Sequence, residues 1–219
     1  MYMNNNVTAI KICGLTSVEN ALEVAQSGVS AIGLIFYPES PRNVSLDIAK
    51  NIVESLPPFV SAVGLFVDPS LDEVFRTLES VDLHVLQFHG EESSDFCSKF
   101  KKPYLKATHV SAEVDLVEYA KVYKEASGLL LDTFSEKVRG GTGDTFDWNL
   151  VPTELDVPIV LAGGLRPNNV SAAIDRVRPW AVDVSSGVEG TQKGVKDLAL
   201  VRDFIGEVKN ADARRFTKL

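Results

Sequence analysis

Two side chains with chemistry to offer close apolar runs. Cys13 ends Ala9-Ile-Lys-Ile-Cys13, and Asp132 ends Gly128-Leu-Leu-Leu-Asp132. They are the candidate base and acid. A helix opening after Cys13-Gly14 would present its positive end to the sulfur and favour thiolate. Packing alone accounts poorly for an acid directly after three leucines. Each residue also has a plainer reading: a buried apolar thiol for Cys13, and a helix cap or loop ion pair for Asp132. A second signal is glycine. Leu161-Ala-Gly163-Gly164-Leu165 and Val184-Ser185-Ser186-Gly187-Val188 each end an apolar run. Glycines let backbone N–H groups approach an anion, and a short helix starting near Ser186 would add its own N–H groups. Gly163, Gly164, Ser185, Ser186 and Gly187 are therefore the candidate phosphate turns; the competing reading is two ordinary tight turns. Arg42, in Tyr37-Pro-Glu-Ser-Pro-Arg42, offers a planar fork for a carboxylate or phosphate.

These residues need a scaffold that brings strand ends together. Short apolar runs begin near Val7, Ala31, Val60, Leu83, Pro103, Ser127, Val157 and Ala181, with helical patterns between them. Eight strand–helix alternations in one chain without a linker predict a single α/β domain over residues 1–219, a (β/α)8 TIM barrel. The competing architecture is an open doubly wound sheet, but no G-x-G-x-x-G turn follows the first strand. In a barrel the chemistry sits at the C-terminal strand ends, where Cys13, Arg42, Asp68, His89, Asp132 and the two glycine turns all fall.

Strand parity sharpens this placement. Lys11 shares a face with Cys13, Asp183 with Ser185, and Gln87 with His89. Strands 1 and 8 adjoin in a closed barrel, so Lys11 and Asp183 are expected to pair across the seam. Gln87, His89 and Asp183 are candidate substrate ligands, or members of an internal polar network. His84 is expected to face the helix layer, and His109 has no evident partner. Phe134 to Asp147, containing Arg139-Gly-Gly-Thr-Gly143, is long enough for a lid; it lacks the G-K-[ST] ending of a P-loop. A capping box is expected at Thr16-Ser-Val-Glu19. Residues 1–6 and 212–219 are expected to be flexible ends.

Composition sets outer limits. The chain has 219 residues and a net charge of −8, which argues against a nucleic-acid partner. Two cysteines, Cys13 and Cys97, suit a reducing compartment better than a disulfide framework. No run is long enough for a membrane span, and no secretory leader is evident. The expectation is a cytoplasmic monomer with no membrane partner and a small-molecule substrate. No spaced ligand set calls for a metal, and no cofactor is expected.

Read in order, the motifs resemble the phosphoribosylanthranilate isomerase family, Amadori isomerases of tryptophan biosynthesis. The resemblance is carried by Lys11-Ile-Cys-Gly-Leu-Thr16, Ser40-Pro-Arg42, Val85-Leu-Gln-Phe-His-Gly90 and Leu130-Leu-Asp132. It continues through Gly140-Gly-Thr-Gly143, Phe146-Asp-Trp148, Leu161-Ala-Gly-Gly-Leu165, Val182-Asp-Val-Ser-Ser-Gly-Val-Glu189 and Lys196-Asp197. Phe88 stands where the family pattern leads one to expect leucine, and residues 1–6 lie outside the match. The resemblance implies Cys13 as general base and Asp132 as general acid, with a carboxyl pKa raised by a partly dry site. It also implies Arg42 at the anthranilate moiety and phosphate at the last two turns. Indole-glycerol-phosphate synthase, a metal-dependent ribulose-phosphate epimerase and a non-catalytic phosphate-binding barrel are the competing readings. The first two lack their lysines or metal ligands here, and the third does not need Cys13 with Asp132.

Overall fold

The structure is a computed structural model that describes residues 7–133, 145–153 and 155–216. Eight parallel strands close into a barrel in sequence order. They are β1 (Ala9–Cys13), β2 (Ala31–Ile35), β3 (Ser61–Phe66), β4 (Val85–Phe88), β5 (Tyr104–Val110), β6 (Gly128–Thr133), β7 (Ile159–Leu161) and β8 (Ala181–Val184). The helices are α1 (Val18–Gln26), α2 (Leu46–Ser55), α3 (Leu71–Ser80), α4 (Ser94–Cys97), α5 (Leu116–Val122), α6 (Val170–Val177) and α7 (Leu198–Phe216).

Alternation along each strand separates two cores. Ile10 and Ile12, or Leu129 and Leu131, point outward into the layer shared with the helices. The opposite parity points inward, where Ala107, Leu130, Val160, Ala162 and Ala181 fill the lower barrel. Inward positions higher up carry Cys13, Ile35 and Leu65. Polar groups therefore gather where the apolar filling ends, at the C-terminal rim. Six helices open on a Ser or Asp whose side chain accepts a backbone N–H: Ser17, Ser45, Ser70, Ser93, Asp115 and Asp197. These caps satisfy the orphan donors of the first turn and set where each rim loop stops.

Three local expectations need correction. The first cap is Ser17, not Thr16: Ser17 accepts from the Asn20 N–H, whereas the Thr16 hydroxyl donates to the Gly194 carbonyl at 3.0 Å. A tertiary partner has claimed the residue that local spacing favoured, and the complete capping box is at Ser70–Glu73 instead. Between β6 and β7 the described residues carry a single 3-10 turn, Trp148–Leu150, rather than an α-helix; Pro152 follows and stops its extension. Finally, residues 212–216 are not a loose end, because α7 runs through Phe216. Asp212 is buried and accepts from the Thr8 N–H at 2.8 Å and the Thr8 hydroxyl at 2.7 Å, tying α7 to the floor of the barrel. Residues 1–6, and most of the segment read as a lid, including Arg139 to Gly143, lie outside the described residues.

Candidate active site

The rim places Cys13 on β1 and Asp132 on β6, three strands apart around the closed barrel, with their side chains turned toward the mouth. On the β1–β8 side, register makes Lys11 and Asp183 Cα partners. The parity expectation holds: Lys11 Nζ lies 2.9 Å from Asp183 Oδ2, both side chains buried. Beside them Glu189 receives two cations. Arg42 donates to it through Nε and Nη2, each at 2.7 Å, and Lys196 Nζ donates at 2.7 Å. Lys196 is held in place by Asn20 of α1, which takes its N–H and donates to its carbonyl. Three cations face two carboxylates here, so this rim is locally positive in a chain of net charge −8.

The thiol does not follow the helix-dipole expectation. The first helical residue after it is Val18, and a helix field fades within about one turn. Burial dominates and pushes the Cys13 thiol above its ordinary value; Lys11 and Lys196 pull it down, and Asp183 pushes it up.

On the β4–β6 side the partners are different. Gln87, fully buried, approaches His89 Nδ1 with Nε2 at 3.0 Å. With that amide donating, the proton of a neutral His89 sits on Nε2, facing Asp132. Nε2 is 3.2 Å from Asp132 Oδ2, an ion-pair distance that falls short of good hydrogen-bond alignment. The other carboxylate oxygen accepts from the Thr133 N–H at 2.7 Å. Burial works to raise Asp132, but the His89 contact and the Thr133 N–H outweigh it. The carboxyl lies below its usual value, opposite to the raised pKa that the resemblance implies. His109 also has partners: it is the β5 register mate of Asp132, its Nδ1 is 3.1 Å from the Thr133 carbonyl, and its ring meets His89 edge-on at 6.0 Å.

The two glycine turns adjoin. Gly163 has φ +78, and a Cβ there would overlap the Thr133 side chain and crowd Asp132 Oδ1, so glycine lets β7 pass close to the acid. Gly164 has φ +61. A Cβ on Gly187 would overlap the Leu165 carbonyl oxygen, which sets the β8 turn against the β7 turn. The helix expected near Ser186 is one 3-10 turn, Ser186–Val188. It supplies N–H groups but too few aligned peptides for a useful dipole. The Ser185 hydroxyl is already committed, donating to the Cys13 carbonyl at 2.9 Å and lying 3.3 Å from Lys196 Nζ. Its contribution to an anion would come from the backbone.

Sequence reasoning left Glu189, Lys196 and His109 without roles. Glu189 and Lys196 stood in quoted motifs, but a partner 147 positions away, as Arg42 is from Glu189, leaves no local trace. The buried pair Lys106–Glu92 at 3.2 Å was also missed; Lys106 donates to the Gly90 carbonyl as well, bracing the turn after His89. Among the described residues no group of three or more His, Cys, Asp or Glu side chains is arranged to hold a metal, and no helix is long and apolar enough to cross a membrane.

A closed parallel barrel whose mouth gathers a thiol, a carboxyl and paired glycine turns is the architecture of a (β/α)8 enzyme. The sequence profile described as N-(5'phosphoribosyl)anthranilate (PRA) isomerase matches residues 10–207. The N-(5'-phosphoribosyl)anthranilate isomerase of Pseudomonas aeruginosa (strain LESB58) is 53% identical over 201 residues, 92% of this chain and 95% of the relative. The crystal structure of phosphoribosyl anthranilate isomerase from Thermotoga maritima superposes with a TM-score of 0.85 at 42% identity, covering 93% of this chain and all of that one. A further isomerase structure, in complex with reduced 1-(o-carboxyphenylamino)-1-deoxyribulose 5-phosphate, has a TM-score of 0.79 at 39% identity over 93% of this chain and 100% of its own. This chain belongs to the phosphoribosylanthranilate isomerase family.

Proposed function

We propose that this chain isomerises N-(5'-phosphoribosyl)anthranilate to 1-(2-carboxyphenylamino)-1-deoxyribulose 5-phosphate by cofactor-free acid/base catalysis, with Asp132 as acid and Cys13 as base. An isomerase of tryptophan biosynthesis is what membership of this family makes it. The observation that carries the residue assignment is the placement of one thiol and one carboxyl across the mouth, each beside groups that tune its proton affinity.

Asp132 protonates the ribose ring oxygen, and the ring opens to an iminium. Cys13 removes the C2 proton, which the iminium has made acidic, and leaves an enolamine. Reprotonation at C1 and loss of the O–H proton give the ketone. No electrons leave the substrate, so the step needs only proton transfer. At rest Asp132 is held as carboxylate, and it must gain a proton as substrate binds. A substrate carrying phosphate and carboxylate brings negative charge into the mouth and displaces water; both raise a carboxyl pKa. The backbone N–H groups around Gly163, Gly164, Ser185, Ser186 and Gly187 hold the phosphate. Arg42 meets the anthranilate carboxylate, exchanging part of its Glu189 contact, and Gln87, His89 and Asp183 take the sugar hydroxyls.

Turnover followed by loss of substrate fluorescence, with Cys13→Ser and Asp132→Asn alongside the parent, tests the assignment. Parent activity lost in both variants supports it; near-parent activity in either removes that residue's role. We also propose a cytoplasmic monomer. Both cysteines are free and buried, which suits a reducing compartment, and one chain supplies Cys13, Asp132 and both glycine turns. Sedimentation at micromolar concentration reads the oligomeric state directly.

A further inference from the structure

We propose that Lys11 is the positioning residue that holds the Cys13 thiolate, and that Asp183 opposes it until a substrate hydroxyl engages the aspartate. This rests on the assignment of Cys13 as base. Lys11 is buried to 96%, yet the reaction described above gives it no task. Its Nζ stands between two groups. Asp183 Oδ2 is 2.9 Å away on β8. On the other side, a Cβ placed on Gly33 of β2 would lie 2.6 Å from Cys13 Sγ and 3.0 Å from Lys11 Nζ. Sulfur and ammonium thus flank one small volume that only a glycine leaves open.

A cation next to the sulfur favours thiolate; an anion next to that cation cancels part of the effect. The other charges facing Cys13 are Lys196, on the segment after β8, and Arg42, on the segment after β2. Both are drawn toward Glu189 at 2.7 Å, which leaves Lys11 as the cation nearest the sulfur on its own strand. Asp183 has a second feature. Its Oδ1 is buried without a hydrogen-bond partner, a costly state for a carboxylate oxygen. A hydroxyl donated to Oδ1 draws negative charge toward the substrate and away from Lys11. The ammonium is then freer to stabilise the thiolate, so the base forms where its substrate is bound.

The test is a titration of the thiolate by its ultraviolet absorbance, taken as the difference between each protein and its Cys13→Ser counterpart. Asp183→Asn removes the opposing charge with little change of shape, and should lower the Cys13 pKa by about one unit. Lys11→Met should raise it by a similar amount, and Lys11→Arg should restore most of the loss. Turnover should separate the two as well: Lys11→Met lowers kcat with little change in KM, and Asp183→Asn raises KM. No shift in either variant, or shifts of the same sign, overturns the proposal. Should Lys11→Met fail to fold with Asp183 left unpaired, the sign of the Asp183→Asn shift alone decides. The titration does not use the isomerase reaction. A Cys13→Ser enzyme that still turned over would remove the base assignment and leave the titration result standing.

Discussion

The two sides of the barrel mouth handle charge in opposite ways. The β8–β1 side is dense with full charges: Lys11 with Asp183, and Arg42 and Lys196 with Glu189. The β4–β6 side uses an amide and an imidazole, Gln87 through His89 to Asp132, with the Thr133 N–H on the second oxygen. Each side leaves its proposed proton-transfer group on the unhelpful side of neutrality. The thiol sits high because burial outweighs two cations, and the carboxyl sits low because donors outweigh burial. A resting site of this kind holds both groups in their unreactive forms. Substrate charge and dehydration favour the protonated Asp132, but both push the Cys13 thiol further up, so the base depends on the cations beside it. Cys97, the second buried thiol, is likewise raised by burial, to about 12, with Lys106 pulling against it.

The largest test of the comparison removes one reactive group from each side. Cys13→Ser and Asp132→Asn should each lower kcat by about 10²–10⁴-fold in the fluorescence assay. A large loss on one side only would break the two-sided picture. Next is acid stability, which belongs to the charged side. Burial alone would raise Glu189, but its Arg42 and Lys196 bonds bring it down to about 2. Because the folded value lies below the ordinary one, the contribution is complete above about pH 4.5 and is lost as pH falls through about 2. It is worth on the order of 3 kcal/mol. Denaturant midpoints over that range should show the loss in the parent, and a flatter profile in Glu189→Gln.

Smaller effects follow in binding. Arg42→Lys gives up the two-pronged fork, and KM should rise by about tenfold with kcat less affected. A bulky residue at Gly164, where φ is +61, should also raise KM by closing the backbone turn. The smallest expected effect lies in the pH profile of the β4–β6 side. His89→Leu removes a group that favours the Asp132 carboxylate. The limb of kcat/KM that falls as Asp132 deprotonates should therefore move to higher pH, by up to about one unit. For the parent, the same limb should lie higher in kcat than in kcat/KM if bound substrate raises the carboxyl; the reverse order would reject that step.

Much of this was legible without coordinates. The eight apolar runs begin within two residues of the observed strands. The pairing of Lys11 with Asp183 follows from parity and barrel closure alone. Thr16 shows where local reasoning stops: its spacing favours a cap, but a carbonyl at Gly194 competes for the same hydroxyl and wins. His109 was unreadable for a similar reason, since its partners arrive through the β5–β6 register. The polar stretch after Asp212 resembles a fraying end until Thr8, far away in the chain, supplies its donors.

The amino-acid sequence by itself determined the strands, the inward parity that puts Lys11, Cys13 and Asp183 in the barrel, and the glycine turns at its rim. These follow from backbone sterics and from the two-residue alternation of a strand, which act between near neighbours. Only the tertiary structure decided that Arg42 shares Glu189 with Lys196, that His89 faces Asp132, and which way each proton affinity moves. Those outcomes depend on burial and on charges brought within a few ångströms from opposite ends of the chain, and the interaction of such groups is set by distance and local dielectric rather than by separation in sequence.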